Sequence, residues 1–189
     1  MLMTMLFKKN KTKNPLKHPE QRVGVFIDVQ NLYYSAKNLY ARKVNFGNIV
    51  EDAVAGRKKI RVIAYVVSTE SKDEKPFFDA LNNLGIETRE KDLQIFSTGM
   101  KKADWDVGLA VDAIRLAPSL DAVVIVSGDG DYLPLVEYLQ KSSGKQVEVV
   151  AFGETASHYI LDEADDFLDL SKNKDRYLMN EVWINKKNK

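Results

Sequence analysis

The sequence predicts an α/β fold, a three-layer α/β/α sandwich around a central, mainly parallel sheet. Three observations carry this. Residues 23–29, 60–67 and 122–126 are short continuous apolar runs, the mark of strands covered on both faces. Helical patterns of about ten residues separate such runs, which is the alternation a parallel sheet with crossover helices requires. The chain has 189 residues, 44% hydrophobic and 29% charged, a balance that suits one soluble globular core.

The elements follow in order. Residues 1–22 lack periodicity and contain Pro15 and Pro19, so they read as a flexible basic arm. After the strand at 23–29, residues 32–42 and 46–55 read as helices, with Gly56 as a stop. The strand at 60–67 precedes a helix over 75–84, which has Pro76 in its first turn and Gly85 past its end. From Ile86 the pattern alternates and is more polar, as near a sheet edge, and 92–103 reads as a loop or hairpin. Residues 104–117 form a helix with Val107, Ala110, Val111 and Ile114 on an apolar stripe. The buried strand at 122–126 leads to a helix over 131–141, ended near Gly144. A strand at 147–151, a short helix at 157–161 and a last short strand at 167–170 complete a core domain of residues 23–170. Residues 171–189 read as a basic tail, with Val182, Trp183 and Ile184 as an apolar patch within it.

Composition removes several chemistries. Without cysteine there are no disulfides, thiolate zinc sites, iron–sulfur clusters or cysteine nucleophiles. His18 and His158 form no paired ligand spacing, which disfavours a histidine-bound metal. The apolar run 1–7 precedes its lysines, the reverse of a secretory signal, and no stretch approaches the roughly 20 apolar residues of a membrane helix. A cytoplasmic location without membrane contact is the expectation. The net charge of +1 hides an asymmetry. Residues 1–22 hold six Lys/Arg against Glu20, and residues 171–189 hold six against Asp175 and Glu181. An acidic body therefore lies between two basic ends, which suits a polyanion outside and a cation within.

In a doubly wound sheet, ligands bind at the carboxyl ends of the strands. There the first strand ends in FIDVQN (26–31), and an aspartate directly after VGVFI costs energy unless its charge is satisfied. Asp28 or Asn31 caps the following helix in the simplest account. The strand at 122–126 runs into SGDGDY (127–132), where capping explains Asp131 but leaves Asp129 over. A calcium loop would need Glu at its twelfth position, and counting from Asp129 reaches Gln140. A third acidic element, KKADWDV (101–107), places Asp104 and Asp106 at a helix start, where the dipole favours them. Asp112 lies about 240° round the same helix from Asp106, away from a shared site. Two carboxylates about 5 Å apart repel by about 3 kcal/mol at an effective dielectric of 20. If Asp28, Asp106 and Asp129 converge, some carry protons or a cation sits among them. Oxygen-only ligands suit Mg²⁺ or Mn²⁺, ions that activate water and steady the leaving oxygen in phosphodiester hydrolysis.

FIDVQN at 26–31, KKADWDVGLAVDAI at 101–114 and SGDGDYLPLVEYL at 127–139 resemble the NYN domain family, in its LabA-like branch, within the PIN-like nuclease superfamily. FLDL at 167–170 resembles the family's closing segment. The resemblance spans about residues 22–170. It implies the three-layer fold and a metal-dependent ribonuclease site. By position it makes Asp28, Asp106 and Asp129 catalytic metal ligands, with Asn31 the polar companion of Asp28. Asp131 matches the family's second aspartate in its loop, either binding metal through water or capping the helix. Ser157 sits near a commonly polar family position. Superfamily members are often dimers, so self-association is also an expectation.

These readings combine into one functional expectation: endonucleolytic hydrolysis of RNA, single-stranded by preference, with Mg²⁺ or Mn²⁺ and weak sequence specificity. Phosphate contacts would come from Lys101 and Lys102, from residues 57–61 and from the basic ends. Tyr33, Tyr34, Trp105 and Tyr132 are candidates to stack bases. The alternative is a non-catalytic RNA-binding or regulatory module that keeps the fold and the acidic pocket. A haloacid-dehalogenase-type phosphotransferase wants a second acid two residues after the first, where this chain has Gln30.

Overall fold

The structure, a computed structural model, describes residues 17–68, 74–92, 94–95, 101–102 and 104–182. Among the described residues the strands are β1 (Arg22–Asp28), β2 (Arg42–Val44), β3 (Lys58–Ser68), β4 (Glu87–Asp92), β5 (Gln94–Ile95), β6 (Lys101–Lys102), β7 (Ala122–Val126), β8 (Gln146–Ala151), β9 (Asp166–Asp169) and β10 (Leu178–Val182). The α-helices are α1 (Val29–Tyr40), α2 (Phe46–Val54), α3 (Lys75–Asn83), α4 (Asp106–Leu116), α5 (Leu133–Lys141), α6 (His158–Glu163) and α7 (Lys174–Tyr177). Six strands form one parallel sheet in the order β4-β3-β1-β7-β8-β9. The direction of strand succession reverses between β1 and β7, and that reversal opens a crevice at their carboxyl ends.

The period-2 alternation of side chains divides the core into two layers. Val25, Ile27, Val62, Ala64 and Val124 face α1, α2 and α3. Phe26, Ile63, Tyr65, Val123, Ile125 and Val149 face α4, α5 and α6. This is the three-layer architecture expected, with β4 at one edge. Both central runs are fully buried, which explains why they are continuous in sequence rather than alternating. Helix boundaries follow local chemistry. Asn45 caps α2 by accepting from the Asn48 amide at 3.2 Å, and Pro76 sits in the first turn of α3. At the end of α2 the left-handed cap falls on Ala55, one residue before the expected Gly56.

Two expectations change in the structure. Helix α4 buries Leu109 and Ala113 and turns Val107, Val111 and Ile114 outward, at 74%, 45% and 38% exposure. The rotation is set at its start, where the Trp105 Nε1–H donates to the Val66 carbonyl at 2.9 Å and its ring packs on Tyr65. Asp106 then points at the sheet tip, and residues three and seven positions later follow it inward. The second change concerns residues 178–182, read as tail. They pair antiparallel with β2, and Arg42 donates to the carbonyls of Leu178 and Met179. A three-residue strand paired across more than 130 positions leaves no periodic trace in sequence.

At the amino ends of the strands lies a buried ion network. Arg57 and Glu148, 5% and 3% exposed, meet through two hydrogen bonds of 2.5 and 3.0 Å. Arg57 also donates to the carbonyls of Ala53 and Val54. Lys17 joins Glu148 at 3.0 Å and Asp166 at 2.9 Å, so residue 17 lies against the body. Arg57 is therefore a structural cation, not the phosphate contact the sequence suggested. Lys58 and Arg61 pair with Glu20 and Glu87. Breaking one side of a buried pair leaves an uncompensated charge. Glu148→Ala is expected to lower stability by about 3–5 kcal/mol in urea denaturation, with the fold retained.

Candidate active site

The crevice between β1 and β7 holds three of the acidic residues singled out in the sequence, Asp28, Asp106 and Asp129. Asp28 is the last residue of β1 and the N-cap of α1: its Oδ1 accepts from the Asn31 amide at 3.0 Å. Asn31 in turn accepts, through Oδ1, from the Gly128 amide at 3.1 Å. One side chain thus joins the start of α1 to the loop that follows β7. Ser127, fully buried, donates to Asp28 Oδ2 at 3.2 Å and accepts from the Asp129 amide at 3.2 Å. Asp129 caps the next turn, accepting from the Asp131 amide at 3.0 Å.

Close approach favours glycine twice in this loop, most strictly at Gly128, where the neighbouring atom is backbone. A Cβ at Gly128 would stand 2.9 Å from Ala156 Cα, and one at Gly130 would stand 2.9 Å from Ser157 Oγ. The loop therefore lies directly on residues 156–157, and the Ser157 amide donates to the Gly128 carbonyl at 2.8 Å. Ser157 is the N-cap residue of α6 and supports the loop rather than reaching Asp28.

Tyr132 changes role. Its ring is 2% exposed, so it offers no stacking face. Its hydroxyl donates to Asp106 Oδ1 at 3.0 Å and lies 3.4 Å from Asp28 Oδ2. A phenol has one proton to give. With that proton on Asp106, the contact to Asp28 is a good one only when Asp28 carries its own proton. Electrostatics agrees. Burial, then the charges of Asp106 and Asp129, hold the Asp28 carboxyl above the usual carboxylate range, against the lowering effect of Asn31 and Ser127. Burial likewise raises Asp106, and so do the charges of Asp104, Asp129 and Asp131. Burial and the charges of Asp28, Asp106 and Asp129 push the Tyr132 phenol up as well. Asp28, Asp106 and Asp129 thus share one electrostatic environment.

The other candidates divide. Asp112 accepts from the Tyr65 hydroxyl at 3.1 Å and faces Arg89, away from the crevice. Trp105 is packed between Tyr65 and the Gly108 backbone, with Lys91 5.8 Å above its ring. Lys101 and Lys102 form β6, paired with β5, and their side chains lie outside the described residues. Lys58 is paired with Arg22 at the far end of β1, about 20 Å from Asp28 at 3.3 Å per residue. The 57–61 cations therefore do not border the crevice. Ser127 and the Tyr132 hydroxyl were missed as site groups. The only sequence signal for Ser127 is its place between a buried strand and GDG.

The donor set is all oxygen, the chemistry Mg²⁺ or Mn²⁺ prefers. Among the described residues, however, no group of three or more His, Asp or Glu is arranged to hold an ion as it stands. The Tyr132 hydroxyl occupies the space between two of the carboxylates.

An acidic, oxygen-lined crevice at the reversal point of a six-stranded parallel sheet with helices on both faces defines the class: a three-layer α/β/α domain with its candidate site at the strand carboxyl ends. Within that class the chain belongs to the NYN domain family, which matches residues 22–171. It is similar to the Low amplitude and bright protein LabA of Synechococcus elongatus, with 27% identity over 164 residues, 79% of this chain and 84% of that protein. It is also similar to the crystal structure of a protein of unknown function from Vibrio parahaemolyticus. The TM-score is 0.78 at 30% identity, covering 87% of this chain and all of that one.

A carboxyl held above its usual range binds its proton more tightly in the folded than in the unfolded chain. Stability therefore falls as pH rises from the ordinary carboxylate range through the raised value. Asp28→Asn keeps an oxygen to cap Asn31 and removes the charge. With chelator present, its thermal midpoint is expected above wild type at neutral pH, the difference vanishing near about pH 3, where both side chains are neutral.

Proposed function

We propose that the protein is a metal-dependent endoribonuclease that hydrolyses phosphodiester bonds in single-stranded RNA with little sequence preference. The observation that supports this most is the convergence of Asp28, Asp106 and Asp129 on one crevice, with Asp28 raised by burial and by the charges of Asp106 and Asp129, and Asp106 raised by burial and by the charges of Asp104, Asp129 and Asp131. Family membership and the oxygen-only donor set agree with it. Asp28, Asp106 and Asp129 would hold Mg²⁺ or Mn²⁺, with Asp131 joining through water. The ion would supply a water of lowered pKa and charge neutralisation at the scissile phosphate. The chain's own residues set the frame. Asn31 locks the loop after β7 to α1, and Ser127 orients Asp28. Tyr132 keeps a proton between Asp28 and Asp106 and so limits their repulsion without an ion.

The same tyrosine favours a second reading. A hydroxyl wedged between the carboxylates, with no ion-holding group among the described residues, also suits a regulatory module that binds RNA without cutting it. The name of the LabA relative describes an amplitude and a brightness, not a substrate.

Incubation with single-stranded RNA and Mn²⁺ separates the two. Nuclease action requires chelator-sensitive cleavage, slowed in Asp129→Asn by at least the ~10–100-fold that loss of an outer-shell metal partner costs. Cleavage unchanged in this variant places the chemistry elsewhere, and binding without cleavage under either metal establishes the regulatory reading. Mn²⁺ at 100 times its Kd is expected to stabilise the wild type by about 2.7 kcal/mol, read as a rise in thermal midpoint, with a smaller rise in Asp129→Asn.

A further inference from the structure

The Tyr132 hydroxyl stands where an ion shared by two of the carboxylates would have to stand. Its oxygen lies 3.0 Å from Asp106 Oδ1 and 3.4 Å from Asp28 Oδ2. It has one hydrogen, and that hydrogen goes to Asp106. A hydroxyl hydrogen aimed at a carboxylate presents positive charge to it, as a metal ion does. Between Asp28 and Asp106 the hydroxyl is therefore a resident substitute for a cation, not a further ligand for one.

The phenol ring is held in place. It is buried in the cluster that includes Phe26, Leu109, Leu135 and Val136. Its backbone ends the short turn 130–132, where the Tyr132 amide donates to the Asp129 carbonyl at 3.4 Å. That turn lies against the start of α6, because a Cβ on Gly130 would meet Ser157 Oγ. The facing wall is anchored as well. Asp106 opens α4, whose Leu109 amide donates to the Trp105 carbonyl at 2.7 Å, and the Trp105 indole is bonded to the Val66 carbonyl. Close-packed elements of this kind resist displacement. What can turn at little cost is the O–H bond itself and the carboxylate planes.

We infer that Tyr132 sets the affinity of the crevice for its ion: the hydroxyl competes with Mg²⁺ or Mn²⁺ for Asp28 and Asp106, and a cation enters only as the hydrogen bond to Asp106 breaks. The inference rests on reading the crevice as a metal-dependent centre. It accounts for two observations together. The donor set is all oxygen, yet no group among the described residues is arranged to hold an ion as it stands. With the O–H···O bond in place, the carboxylates coexist without a metal. Loss of that bond opposes binding, so oxygens from outside the chain have to offset it. Mg²⁺ completes its shell with waters and substrate phosphates. The crevice therefore takes its ion more tightly when a phosphate is present, and Tyr132 couples metal loading to substrate. Phenylalanine at this position would keep the packing and remove the competition.

The test is a titration of Mn²⁺ into the full chain without RNA, followed by the electron paramagnetic resonance signal of the free ion. The Kd of Tyr132→Phe for Mn²⁺ is expected to lie below that of the wild type by between about 10- and 150-fold, the effect of one hydrogen bond to a charged group. In the wild type, Mn²⁺ is also expected to shift the near-ultraviolet absorption of one tyrosine, as its hydroxyl loses its acceptor. Should Tyr132→Phe fail to fold, that wild-type spectrum decides alone. An equal or higher Kd in Tyr132→Phe overturns the competition, and so does Mn²⁺ binding by the wild type with no tyrosine shift. If the wild type still cleaves RNA in Mn²⁺, the nuclease reading then stands without it. Tighter binding by Tyr132→Phe, with cleavage by neither protein, upholds the competition and removes the nuclease. No Mn²⁺ binding by either protein overturns both.

Discussion

A carboxylate at the tip of a strand buried on both faces is the constraint around which this molecule is organised. Asp28 has no bulk water to spread its charge, and two further aspartates approach from other parts of the chain. Every local device in the crevice answers that cost. The Asn31 amide and the Ser127 hydroxyl stabilise the ionised form, while the Tyr132 hydroxyl lies against both Asp28 and Asp106. Ser127 can reach Asp28 because β1 and β7 are parallel neighbours with Ile27 opposite Val126. The strand order thus supplies the proximity, and the capping interactions make it tolerable.

Much of this was legible in the sequence, and the reasons differ by element. The buried central strands announced themselves because full burial demands uninterrupted apolar residues, as in Val123 to Val126. Asp28 and Asp129 stood out because a charge beside such a run needs an explanation. The rotation of α4 was not legible. Its composition offers apolar residues on more than one side, and the choice is made by tertiary contacts of Trp105 and Asp106. Tyr132 was legible as an aromatic near the acids but not as a hydroxyl donor, since only the fold decides whether a tyrosine shows its ring or its oxygen. Arg57 illustrates the same limit: a cation in a basic run proved to be committed to Glu148, a partner 91 residues away.

The charges are also sorted along the strand axis. The acidic crevice sits at the carboxyl ends, while the Arg57–Glu148–Lys17 network closes the amino ends. Cations counted in sequence as RNA contacts are, in several cases, already paired there: Lys58 with Glu20 and Arg61 with Glu87. Net charge over a segment says little about the field at a site when its members are neutralised in pairs.

The two outer strands of the sheet have a further consequence. β4 reads ETREKD and β9 reads DFLD, so both margins of the parallel sheet carry ionised side chains. Another chain adding itself to either margin would have to accept those charges beside its own backbone, a recognised safeguard against runaway strand addition. Fibrous growth from the native state is disfavoured on both flanks.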